Sequence, residues 1–319
     1  MTITQAVSAP LIAVVGATGQ QGGSVIKALA ESNKQYRIRA FTRDVTKAAA
    51  EALKAQGVDV VAVNLVVENK DAVYRAFSGA DFAFLVTNFW EFMDKEKEAA
   101  QGKLLIDAAN AASVKGIIWS GLVSCETISR GKYAQVFHFD GKAIVAEYGR
   151  QSGAPFVDVQ AGFYANNLLG NPALLAKQSD GTYLMPWAMR PEVVLPIIDT
   201  ASDYGLFVRQ VLEAPVFPDG SEVFTSSEEL TAADLARQLS EITGKKIVFK
   251  QITVEEATKN LAATGLPPAI VAEMIEMIRF IDEFGYYGGK ATTSHVGLGR
   301  QTRTWAEFVK GADWSKALG

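Results

Sequence analysis

The 319-residue chain carries 31 basic and 35 acidic side chains for a net charge of −4, with 49% hydrophobic and 21% charged residues, a balance typical of a soluble globular protein. Its charges are spread without a basic stripe, so direct nucleic-acid binding has no electrostatic footprint. One cysteine, Cys125, excludes an intramolecular disulfide and a cysteine metal cage, and the two histidines, His138 and His295, sit in no metal-ligand spacing.

The tail Met1–Pro10 lacks the charged region of a signal peptide. No apolar run approaches the ~20 residues of a membrane-spanning helix, so the expectation is a soluble, cytoplasmic protein without membrane association. From Leu11 onward, short β-branched apolar runs alternate with longer amphipathic stretches. Strands are predicted at Leu11–Val15, Tyr36–Thr42, Val58–Val63, Asp81–Val86, Gly116–Ser120 and Pro155–Gln160. Helices are predicted near Gln21–Ser32, Val45–Gln56, Asn69–Phe77, Lys95–Ser113 and Phe137–Gln151. Such alternation builds a parallel sheet with helices on both faces, and nearly all-apolar strands suit burial on both sides.

The rhythm changes after Gln160. Gly162–Asn171 reads as a loop, followed by strand-like pieces at Thr182–Pro186 and Val193–Ile198 and a helix from Ser202 to Leu212. A strand at Glu222–Thr225, a helix at Thr231–Thr243, a strand at Lys246–Ile252 and helices near Val254–Leu261 and Pro267–Ile281 come next. Gly285–Gly289, three glycines around two tyrosines, reads as a flexible flap. The expected division is a dinucleotide-binding domain over residues 1–160 and a smaller mixed α+β lobe over 161–319, whose strands extend the first sheet or pack beside it.

The sharpest local signal lies between the first strand and first helix. In Val14-Val15-Gly16-Ala17-Thr18-Gly19-Gln20-Gln21-Gly22, glycines at 16, 19 and 22 suit a tight turn, close backbone approach to a pyrophosphate, and close helix–strand packing. The following helix points free N–H groups and its positive dipole end at phosphates. Its position in a βαβ unit makes it a Rossmann-type dinucleotide turn. The second strand ends Phe41-Thr42-Arg43-Asp44, where an NAD-specific protein would place an acid. Arg43, with Lys47 one turn on, instead offers two cations to a 2′-phosphate, which points to NADP(H). The competing reading is a solvated pair of these cations with Asp44.

The chain resembles the NmrA-like family of atypical short-chain dehydrogenase/reductases, most closely its NADPH-sensing members. The likeness is carried by Gly16-x-x-Gly19-x-x-Gly22 with Gly23-Ser24-Val25, then Val86-Thr87-Asn88-Phe89-Trp90-Glu91, Gln101-Gly102-Lys103 and Trp119-Ser120-Gly121-Leu122. It continues through His138-Phe139-Asp140-Gly141-Lys142 and Gly162-Phe163-Tyr164-Ala165-Asn166-Asn167, and is looser beyond Gly170. The resemblance implies that Gly16, Thr18, Gly19, Gln20, Gln21 and Gly22 cradle the pyrophosphate, and that Arg43 and Lys47 hold the 2′-phosphate. It further implies that Thr87 and Asn88 line the nicotinamide ribose, Lys142 bonds it, and Phe163, Tyr164 and Asn167 close over the nicotinamide. Asn64-Leu65 departs from an Asp that relatives often place against the adenine.

Typical short-chain dehydrogenases pair Tyr-x-x-x-Lys on a helix. Here Lys142 is in register, but His138 occupies the tyrosine position. At i and i+4 the two share a helix face, leaving His138 as a general acid or as a polar packing residue. Ser120 stands near the family's catalytic Ser/Thr position, or caps the following loop. Cys125 has no cation beside it and reads as an inert thiol. Phe89, Trp90, Phe92, Phe163, Tyr164, Trp187 and Tyr286-Tyr287 would wall an apolar pocket or pack between lobes.

Two functions follow. The leading expectation is a sensor of NADPH/NADP+ that acts through protein partners, since the dinucleotide turn is intact while the tyrosine is missing. The alternative is an NADPH-dependent reductase of a small apolar carbonyl, quinone or imine, with Lys142, His138 and Ser120 at the reacting end. Homodimerisation is implied by the resemblance alone.

Overall fold

The computed structural model describes residues 2–171 and 173–319, so Met1 of the N-terminal tail lies outside it. The first half runs β1 (Leu11–Val14), α1 (Gln20–Ala30), β2 (Arg37–Thr42), α2 (Ala48–Ala55), β3 (Asp59–Ala62), α3 (Lys70–Phe77), β4 (Phe82–Leu85), α4 (Phe89–Phe92), α5 (Lys95–Ala111), β5 (Gly116–Trp119), α6 (Cys125–Ile128), α7 (Phe137–Arg150) and β6 (Phe156–Gln160). The second half runs β7 (Phe163–Tyr164), β8 (Ala176–Lys177), β9 (Tyr183–Trp187), β10 (Val194–Ile198), α8 (Thr200–Glu213), β11 (Glu222–Phe224), β12 (Glu228–Thr231), α9 (Ala232–Thr243), β13 (Ile247–Gln251), α10 (Val254–Ala262), α11 (Pro268–Phe284), α12 (Trp305–Gly311) and α13 (Ser315–Leu318).

The main sheet has seven parallel strands in the order β11-β6-β5-β4-β1-β2-β3. The fold is a doubly wound, Rossmann-type α/β sheet with smaller mixed sheets beside it. β1, β5 and β6 are buried along their whole length, as strands covered by helices on both faces must be. One face is filled by Val25, Ile26, Leu29, Tyr204, Phe207 and Val208, the other by Phe77, Leu105, Ile106, Trp119 and Val145. The strand order reverses between β1 and β4, and a crevice opens there at the carboxyl ends of the strands.

The second half divides its elements. β11 pairs with β6, and α8 packs on α1, where Gly205 N donates to Ser24 Oγ at 2.9 Å. β10, by contrast, pairs with β12 and β7, and β9 with β8 and β13. These two three-stranded sheets share a separate core with α9, α11 and α12, including Met185, Leu195, Leu235, Phe280 and Trp305. The glycine-rich stretch 162–171 is partly ordered, as β7 and a 3-10 turn at Ala165–Leu169. Gly285–Gly289 is no flap: Tyr286 and Tyr287 are buried, and the Tyr287 hydroxyl reaches Thr225 O at 2.7 Å and Gln160 O at 3.1 Å. The aromatic pair outweighs the freedom of its glycines by pinning the segment across the end of β6. Among the described residues, no helix is long and apolar enough to cross a membrane.

Candidate functional site

The crevice is a continuous cleft of about 990 Å³, starting at the turn after β1. Gly16 adopts φ +66°, a left-handed conformation that a Cβ would strain. A Cβ on Gly22 would lie 2.5 Å from Gly16 C and 2.7 Å from Ala17 N, and closer still to Gly16 O. Helix α1 is thus seated directly on the turn. Gly19 is its N-cap and supplies no side-chain hydrogen bond, so the first turn of the helix keeps N–H groups for a ligand. The cradle has the shape and polarity of a pyrophosphate seat. Thr18, Gln20 and Gln21 line it as well.

Beyond β2 stand Arg43 and Lys47, both on the cleft wall. Asp44 does not pair with them: its carboxylate accepts from Thr46 N at 2.9 Å and Thr46 Oγ1 at 2.6 Å, which hold it below the ordinary aspartate range. Arg43, 68% exposed at its side chain, reaches instead across the cleft mouth to Glu91 Oε1 at 2.6 Å. Arg43 and Lys47 line the same stretch of the cleft, and the Glu91 carboxylate shares the Arg43 guanidinium there. Asn64, Leu65 and Gln101 continue this wall, where Gln101 Nε2 donates to Leu65 O at 2.7 Å.

At the other end α4, α5 and α7 converge. Lys142 Nζ donates to Thr87 O at 2.9 Å, to Thr87 Oγ1 at 3.1 Å and to Glu98 Oε1 at 2.9 Å, which uses its three N–H groups. Thr87 Oγ1 donates to the same Glu98 oxygen at 2.7 Å. Glu98 is 1% exposed at its side chain, and its Oε2 has no partner. The lysine expected to hold a ribose therefore stands in a buried ion pair, and must release one of these donors to bond one. Its buried carboxylate partner is absent from the sequence reading. Ser120 is buried, and its hydroxyl donates to Gln21 Oε1 at 3.0 Å, tying β5 to the cofactor turn.

His138 lines the cleft one helical turn before Lys142 and packs beside Phe89, Trp90 and Phe139. Its backbone N–H and its Nδ1 both meet Glu273 Oε1, at 2.7 and 2.6 Å. Glu273, on α11 of the second half, is fully buried, with Oε2 unpartnered. It too escaped the sequence reading, although one signal was present: it lies three residues after Ile270 and seven before Phe280, on the buried face of an apolar helix.

Asn88, Phe89, Trp90, Phe163, Tyr164, Asn167 and Tyr286 line the same cleft, which then runs on to Leu174, Leu261, Leu266, Met274 and Met277. Phe92, Trp187 and Tyr287 stand outside this wall: Trp187 packs in the second core between Phe163 and Phe249. Burial raises the Tyr164 hydroxyl above its ordinary range, which leaves it a neutral donor. Cys125 is completely buried, and burial pushes its thiol up, the condition of an unreactive cysteine. Under the cleft floor, burial pushes Asp158 up to about 7, with Gln160 Nε2 donating to it at 2.9 Å and Arg150 at 3.5 Å. Among the described residues no group of three or more His, Cys, Asp or Glu side chains could hold a metal ion.

A model of the NmrA-like family matches residues 8–311. An NmrA-like family domain-containing protein of Dictyostelium discoideum is 29% identical over 294 residues, covering 89% of this chain and 92% of its own length. An NAD(P)H azoreductase of Xenophilus azovorans is 28% identical over 300 residues, 94% of this chain and 97% of the relative. Among solved structures, NmrA, a negative transcriptional regulator in complex with NADP, superposes with a TM-score of 0.77 at 23% identity. That match covers 96% of this chain and 99% of the other.

Proposed function

This chain belongs to the NmrA-like family, and we propose that it is an NADP(H)-dependent reductase of a small apolar acceptor such as a carbonyl, quinone or imine. The observation that carries this reading is the continuity of the cleft. It runs from the glycine cradle past Lys142 and His138 into a chamber walled by Leu174, Leu261, Leu266, Met274 and Met277. A protein that only held a dinucleotide would have no use for that apolar extension.

Gly16, Gly19 and Gly22 with the start of α1 hold the pyrophosphate, and Arg43 and Lys47 hold the 2′-phosphate. Thr87, Asn88 and Lys142 set the ribose, while Phe163, Tyr164 and Asn167 cover the nicotinamide. When bound, the reduced nicotinamide supplies a hydride, that is, two electrons and one proton. The aromatic and methionine walls orient a flat substrate and exclude water, and proximity supplies much of the rate. Relatives bearing the name oxidoreductase, and the azoreductase, agree with this direction.

The regulatory reading draws on a different observation, the Arg43–Glu91 pair at 2.6 Å. A 2′-phosphate that takes Arg43 frees α4, so occupancy would be sensed at Phe89–Phe92 and offered to a protein partner. One experiment separates the two. NADPH absorbance is followed with a panel of carbonyls, quinones and imines, alongside limited proteolysis with and without NADPH. Turnover of at least one acceptor supports the reductase. Silence across the panel, with altered cleavage around α4, would replace it with the sensor.

A further inference from the structure

We infer that Glu273 is a positioning residue that fixes the His138 imidazole with its proton on Nδ1, so that Nε2 is the atom that gives a proton to the substrate. This rests on the reductase reading and adds a residue from the other half of the chain.

The geometry is specific. A carboxylate only accepts, so the 2.6 Å contact to Glu273 Oε1 places the ring proton on Nδ1. The same oxygen accepts the His138 backbone N–H at 2.7 Å, which locks the carboxylate to the first turn of α7. Phe89, Trp90 and Phe139 flank the ring, at 5.8, 5.3 and 4.8 Å between centroids. Other charges near this junction are engaged elsewhere: Lys142 by Glu98, Glu91 by Arg43, and Glu276 by Gln135. A fully buried glutamate with one unpartnered oxygen is costly to keep, and imidazole is the group that its charge meets.

In the proton step, as the substrate is reduced by hydride (two electrons and one proton), the imidazolium Nε2–H proton moves to the substrate atom that has gained charge. The N–H bonding pair stays on Nε2. The ring is left neutral, its remaining proton still donated from Nδ1 to Glu273, whose charge balanced the imidazolium. After the product has left and the cleft is open again, a hydronium ion of the solvent returns the proton to Nε2 and leaves as water. A tyrosine is not needed for this step, which accounts for histidine at its place in the helix.

The test uses the full chain and two variants, Glu273→Gln and Glu273→Leu. Two-dimensional NMR of nitrogen-labelled imidazoles reads the tautomer without any substrate. With two histidines in the chain, a His295→Gln control assigns the signals. Wild type is expected to hold neutral His138 as the Nδ1–H form. Glu273→Gln retains it, because two donors still point at the amide oxygen, and Glu273→Leu loses the preference. On the acceptor found in the screen, Glu273→Leu lowers kcat about 10- to 100-fold, within what general acid catalysis contributes. KM and the NADPH Kd stay within about twofold, and Glu273→Gln recovers most of the loss. An Nε2–H tautomer in wild type overturns the inference even if Glu273→Leu fails to fold, as does an unchanged tautomer in Glu273→Leu. If the tautomers behave as expected but no acceptor turns over, the reductase reading fails and the orienting contact stands.

Discussion

Replacing Lys142 with methionine removes the cation that faces the buried Glu98 carboxylate at 2.9 Å. At that separation the pair is worth roughly 6 kcal/mol with an effective dielectric of about 20. Stranding one partner of a buried pair costs about 3–5 kcal/mol net, and Glu98 Oε2 has no partner to soften the loss. With an unfolding entropy of ~2.1 cal/mol/K per residue, that is a fall in Tm of about 4–8 °C for a chain of this length. Thermal unfolding of Lys142→Met therefore shows a clear drop, whereas Lys142→Met/Glu98→Gln recovers most of it, since a glutamine still accepts from Thr87 Oγ1. Activity is measured in both. A loss in the single variant mixes cofactor contact with a damaged fold, and the double variant isolates the contact. A Lys142→Met protein melting within about one degree of wild type would refute the buried-pair argument.

Two further outcomes follow from the cleft floor and the turn. Asp158 is protonated more tightly in the folded chain, at about 7 against an ordinary 3.8. Its share of stability is therefore fully present below about pH 4 and lost as pH rises through about 7, a swing of about 4 kcal/mol. Denaturant titrations should show Asp158→Asn more stable than wild type near pH 8 and the advantage shrinking toward pH 4; a parallel pH dependence in both proteins would contradict this. Gly22→Ala drives a methyl group into the backbone of Gly16 and Ala17, so α1 must lift off the turn. NADPH affinity measured by calorimetry should fall at least about tenfold, from the loss of amide contacts to the pyrophosphate; an unchanged Kd would mean that the cradle is not the seat.

The sheet was legible because its signals are local. Leu11–Val14 and Gly116–Trp119 are continuous apolar runs, buried along their whole length, and the glycine spacing marks its own turn. The second half was harder to read: β9, β10 and β13 resemble strands of the main sheet in composition, yet β9 pairs with β13 and β8 and β10 with β12 and β7, and only β11 joins β6. Partner choice is a tertiary matter that short strands do not encode. The Gly285–Gly289 segment misled through its glycines, since the Tyr287 hydroxyl contacts that order it come from residues 62 and 127 positions away. The acids of the site were hidden for the same reason. Glu98 sits in Lys95-Glu96-Lys97-Glu98, which reads as a solvated helix face, and its lysine lies 44 residues on. Glu273 meets His138 across 135 residues. The sequence displayed the cations and the histidine, while the carboxylates that hold them emerged only with the packing.

Arg43 and Lys47 are expected to select the phosphorylated dinucleotide by holding its 2′-phosphate. Calorimetric titration of the same protein with NADPH and with NADH tests it most directly, in wild type and in Arg43→Ala. A charge-assisted contact to the 2′-phosphate is worth about 1.5–3 kcal/mol, so NADPH should bind about 10- to 100-fold tighter than NADH. Arg43→Ala should remove most of that gap while leaving NADH affinity unchanged. Equal affinity for the two cofactors, or a preference that survives the loss of Arg43, would mean that Arg43 does not read the 2′-phosphate.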